Sequence, residues 1–108
     1  MSNEHEDLVK KATSAGDGMT AAIKRLAELS RAESDVHGMI AVLEVLTDNS
    51  GALVELTHMF KEGGDWLTGF EDNSADEAAE LMAASANYIS GVRDVANTIL
   101  PWLRPLAG

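Results

Sequence analysis

No cysteine occurs anywhere in the chain. Disulfides, thiolate metal sites and cysteine nucleophiles are therefore excluded. Aromatic residues are scarce, at 5%, and there are only two prolines. The 45% apolar fraction is mostly alanine, leucine, valine and methionine. Such residues suit close helix packing better than a sandwich built on aromatic and β-branched positions. Positive charge is also in short supply, with 8 bases against 18 acids and a formal charge of −10. That field repels nucleic acid and anionic membranes, so neither is expected as a partner. Long apolar runs are missing too. The strongest, Met39 to Leu43, is far short of a membrane span. Met1 to Asp7 is acidic with no apolar run behind it, unlike a secretory signal. These absences lead to the expectation of a soluble cytoplasmic protein, with 1–108 forming one domain.

The periodicity of the apolar residues is helical throughout. Four clusters punctuate it: Gly16-Asp17-Gly18, Asp48-Asn49-Ser50-Gly51, Gly63-Gly64-Asp65 and Glu71-Asp72-Asn73-Ser74. Glycine, asparagine and aspartate end or cap helices, so each cluster reads as a stop and restart. A first segment, Glu4 to Ala15, has Leu8, Val9 and Ala12 as its stripe, and 1–15 is expected to fray. A second, Met19 to Leu29, aligns Met19, Ile23 and Leu26. Ser30 and Glu33 then have the spacing of a capping box for a third helix reaching Thr47. A fourth runs from Gly51 to Gly63, leaving Trp66, Leu67 and Phe70 in a connector. Ser74 and Glu77 repeat the capping-box spacing before a helix of about 25 residues that Pro101 should terminate. Along it Leu81, Ala84, Tyr88, Val92, Val95 and Ile99 recur at helical spacing, and 101–108 form an apolar tail. The expected fold is all-α, a bundle of four or five helices with a long amphipathic C-terminal one.

Candidate chemistry is thin. Glu55 and His58 form the E-x-x-H step that places a carboxylate and an imidazole on one helix face, as di-iron sites require. A full site needs a second such pair, and Ser34 stands where its acid would precede His37. A second copy of the chain could supply Glu55 and His58 again, with Glu28 or Glu62 as a further ligand. Against this, Glu55, His58 and Glu62 project away from Leu53, Leu56 and Phe60, as a solvated polar face does. No metal or other cofactor is therefore expected. Ser34, Asp35 and His37 are too close in sequence to converge as a triad, and Gly63-Gly64 lacks the lysine of a phosphate loop. Glu71-Asp72-Asn73 does not have the ligand spacing of a calcium-binding hand.

Two surfaces remain. Seven acids and no base lie between Lys61 and Arg93: Glu62, Asp65, Glu71, Asp72, Asp76, Glu77 and Glu80. Acids in a first turn complement the helix dipole, and a basic partner would also suit them. The second surface is apolar. Trp66, Phe70, Tyr88, Val92, Trp102, Leu103 and Leu106 either cap the core or anchor a partner.

The stretch Val42 to Leu56, with Ser50-Gly51-Ala52-Leu53 between two leucine-rich helices and Gly63-Gly64 after it, resembles a known family. That family, a helical domain of unknown function, accompanies formate dehydrogenase-like and sulfide:quinone-type oxidoreductases. The resemblance covers about a quarter of the chain and implies an accessory subunit of a redox enzyme. Trp66-Leu67-Thr68-Gly69 also resembles the W-x-G turn of the helical hairpins secreted by specialised actinobacterial systems. It is one residue longer, and Val92 stands where those proteins carry an acid four residues after Tyr88. The leading expectation is a non-catalytic interaction protein, binding another protein or further copies of itself. A ferritin-like metal protein and a secreted effector are the alternatives.

Overall fold

The computed structural model describes Ser2–Gly108, with side chains from Asn3 onward. Met1, the first residue of the expected single domain and of the segment read against a signal peptide, lies outside the described residues. All regular elements among the described residues are helical, with no strand. They are α1 (Ser2–Ser30), α2 (His37–Thr47), α3 (Ala52–Leu67), α4 (Asn73–Leu103) and a closing 3-10 turn (Arg104–Ala107).

Three of the expected stops are not stops. α1 runs straight through Gly16-Asp17-Gly18, joining the two expected N-terminal helices. Glycine inside a helix costs about 1 kcal/mol relative to alanine but keeps its N–H, so the ladder continues. α3 likewise passes through Gly63 and Gly64 and takes in Trp66 and Leu67, which are therefore not in a connector. Pro101 lies within α4 rather than ending it. Proline removes one hydrogen bond, to the carbonyl of Asn97, and Asn97 is an exposed residue, where solvent can take up the freed acceptor. The helix then tightens into the 3-10 turn three residues later.

Both expected capping boxes are also displaced. The Ser30 hydroxyl donates back to the Ala27 carbonyl at 2.7 Å, so it closes α1 instead of opening the next helix. Residues 31–36 form a connector, and α2 starts at His37, whose N–H donates to Asp35 Oδ1 at 2.9 Å. α4 is capped by Asp72, which accepts from the Ser74 N–H at 2.7 Å. An aspartate two residues before an amide makes this contact as readily as a serine. The stop at Asp48–Gly51 is present: Asp48 Oδ1 accepts from the Ser50 N–H and hydroxyl at 2.9 and 2.8 Å.

The body of the molecule is the α3–α4 hairpin with α2 laid against α4. Small residues bring α3 and α4 together. A Cβ on Gly64 would meet the Ala79 carbonyl oxygen at 3.2 Å and Met82 Cβ at 3.3 Å. The apolar residues that α4 buries are Ala79, Ala86, Ala96 and Leu100, the last only 4% exposed. Arg93 ties α2 to this hairpin. Its Nε donates to the Thr47 carbonyl at 3.0 Å, and its guanidinium to Asn49 Oδ1 at 2.6 Å. A cation at the last carbonyls of α2 also complements the negative end of that helix. At the other end of α2, Gly38 allows the α1 terminus to cross close by, since a side chain there would strike the Leu29 carbonyl.

α1 does not join this body along its length. It packs against α2 through its last turns, and all residues from Asn3 to Arg25 are exposed. The radius of gyration is accordingly 17.8 Å and the principal extents are 56 × 28 × 18 Å. A compact domain of this length would have a radius near 13 Å.

These packing differences fix the sign of three substitutions in urea unfolding. Gly16→Ala, with open space around its Cβ, should add about 0.4–1 kcal/mol. Gly64→Leu should remove about 1–3 kcal/mol by forcing α3 from α4. Arg93→Ala, losing two charge-assisted bonds, should cost about 1.5–3 kcal/mol.

Candidate interaction surface

α4 is apolar on two faces. At 100° per residue, Ala79, Ala86, Ala96 and Leu100 fall on one side and face the body. Roughly 120° round the helix lies a second stripe of larger side chains: Leu81, Tyr88, Val92, Val95, Ile99 and Trp102. This second stripe is exposed, with Tyr88 and Trp102 each at 78%. Regular spacing therefore marked an outward face, while the inward face is carried by alanines. Between this stripe and Leu43 of α2 runs an open apolar groove of about 570 Å³, lined also by Asn87, Gly91 and Ala96. Leu43 lines a second apolar groove of about 290 Å³, formed with Ile23 and Leu26 of α1 and Met39 and Leu46 of α2. The two grooves share that leucine.

The C-terminal turn extends the stripe. Trp102 and Leu106 are exposed, whereas Leu103 and Ala107 are half-buried. Arg104 holds the turn to α2 through Glu44 at 3.6 Å. Trp66 and Phe70 form a separate outcrop at the end of α3. Their rings meet edge-to-face at 4.8 Å, and Trp66 stays 68% exposed. The seven candidate residues thus fall in two places: Tyr88, Val92, Trp102, Leu103 and Leu106 along α4 and its extension, and Trp66 with Phe70 at the other end of the hairpin.

α1 carries a stripe that runs past its glycines, which in the sequence have the signature of a break. Leu8, Ala12, Ala15, Met19, Ala22, Leu26 and Leu29 alternate in steps of four and three without interruption. That is the heptad pattern of a helix seeking another helix. Tyr88, Val92, Val95, Ile99, Trp102 and Leu106 step in the same way.

The polar candidates assemble no comparable feature. Glu55 and His58 stand exposed on α3, and no group of three or more His, Asp or Glu side chains suited to a metal comes together among the described residues. Asp35 lies 2.9 Å from His37 Nδ1 in an open connector. Asp65, Asp76 and Glu80 flank a shallow groove of about 400 Å³ over Gly64 and Ala79, all three exposed. No helix among the described residues is long and apolar enough to cross a membrane. No family model matches the chain, and neither a curated protein nor a solved structure is significantly similar to it.

Two carboxylates have shifted titrations. The His37 N–H, then its side chain, holds Asp35 below its ordinary value of 3.8. The Ser50 N–H and hydroxyl do the same for Asp48. A folded-state value below the unfolded one favours folding above the unfolded value, and that contribution disappears as pH falls through the folded value. Acidification below 3.8 should therefore loosen both connectors flanking α2. In a thermal-unfolding series Asp48→Asn should flatten the acid limb and leave the neutral plateau shape unchanged.

Proposed function

We propose that this protein is a non-catalytic helical interaction protein whose working surface is the outward face of α4 with the C-terminal turn. One observation carries the reading. The chain exposes 8128 Å², against about 5,800 Å² for a compact monomer of 11.5 kDa. The surplus includes large apolar side chains: no side chain among the described residues is fully enclosed, while Leu81, Tyr88, Val92, Val95 and Trp102 are open to water. Covering apolar area stabilises by about 25 cal/mol per Å², so an uncovered surface of this size is a strong drive to associate. The net charge of −10 opposes indiscriminate aggregation. An accessory place beside a redox enzyme, which the Val42–Leu56 resemblance implies, is one setting in which such a surface would work.

Val95→Asp tests this directly. It should abolish association in sedimentation velocity while helical circular dichroism is retained. Collapse of the helical signal in that variant would assign the stripe to the core instead.

A further inference from the structure

The reading above leaves open what covers the α4 stripe, and three features of the chain bear on that occupant. The first is length. The uncovered stripe on α1 from Leu8 to Ala22 spans about 21 Å, and that on α4 from Leu81 to Trp102 about 32 Å. Both carry the three–four spacing that packs knobs into holes at a shallow crossing angle. The second is charge. α1 holds four of the eight bases and five of the eighteen acids, leaving four bases against thirteen acids beyond it. Between Leu8 and Ala27 the sequence has Lys10, Lys11, Lys24 and Arg25 against Asp17 alone. Lys11 and Arg25 sit beside the apolar seam, where flanking charges select a partner; within α1 they meet Asp7 at 3.0 Å and Glu28 at 3.2 Å, exposed pairs that can exchange partners. The Leu8–Ala27 stretch is thus net positive on an arm that is otherwise acidic at both ends, and it projects from a strongly negative body. The third is area. The surplus of about 2,300 Å² per chain, taken over two chains, falls in the range that obligate homodimers bury. An exposed helix with two glycines near its midpoint is marginal on its own, and packing is what sustains it.

We infer that the α1 arm of each chain docks along the α4 groove of a second copy, giving a closed two-fold dimer by reciprocal arm exchange. This rests on the α4 face being the docking surface. The exchange is isologous, so both stripes are covered and neither is left to propagate a filament.

The absence of cysteine makes the test clean. Full-length Met19→Cys and Val92→Cys chains, each checked for helical circular dichroism, are unfolded and refolded together and treated with a short bismaleimide. The mixed Met19–Val92 product should exceed either like-with-like product several-fold, and an Ala15→Cys with Val95→Cys pair should behave alike. A dominant Met19–Met19 product would overturn the inference in favour of an arm-on-arm coil. A dominant Val92–Val92 product would also overturn it while leaving the α4 face as the docking surface. In a chain carrying both substitutions, an internal link at monomer mass would show the arm folding back on its own body. Monomer mass with no link at all would sink both the inference and the surface on which it rests.

Discussion

α4 has two apolar faces, and the chain supplies enough packed helix to cover one. That constraint shapes the rest of the molecule. α3 takes the alanine face because Gly63 and Gly64 let it come close. α2 sits beside it, held by Arg93 across the end of the helix. The helix that could cover the second face, α1, instead leaves the body at residues 31–36 and projects into water. An elongated molecule with a radius of gyration of 17.8 Å is the result.

Close packing of small residues and docking through large ones are therefore divided between the two sides of one helix. On the inward side, Ala79, Ala86 and Ala96 bring backbones together and gain dispersion contacts with little side-chain entropy to lose. On the outward side, Tyr88 and Trp102 offer large rigid surfaces whose polar ends remain satisfied in water. Such residues are costly to leave exposed and effective when desolvated by a partner. Nothing comparable is assembled by the acids and histidines, which stay dispersed over hydrated faces.

The all-helical architecture was legible in the sequence because the three–four spacing of apolar residues is strong and unbroken by strand-like alternation. Boundaries were less so, and for identifiable reasons. Glycine at 16–18 and 63–64 has the signature of a terminator, yet at the second site it serves helix contact, a role visible only once α4 is in place. Ser30 matched a capping motif but spends its hydroxyl on the preceding carbonyl. The larger side chains dominate the periodic signal along α4 at Tyr88, Val92 and Ile99, whereas the buried alanines carry too little hydrophobicity individually to stand out. The same bias hid the α1 stripe, where Ala12, Ala15 and Ala22 alternate with larger residues across the glycines.

The central claim is that the outward face of α4 is covered when the protein is at work. Trp102 reports on it most directly, because it lies on that face and Trp66 can be silenced as Trp66→Phe. Acrylamide quenching of the remaining tryptophan should be weak at high protein concentration and rise on dilution as the face is uncovered. Free quenching at every concentration, as for an indole always in water, would contradict the account.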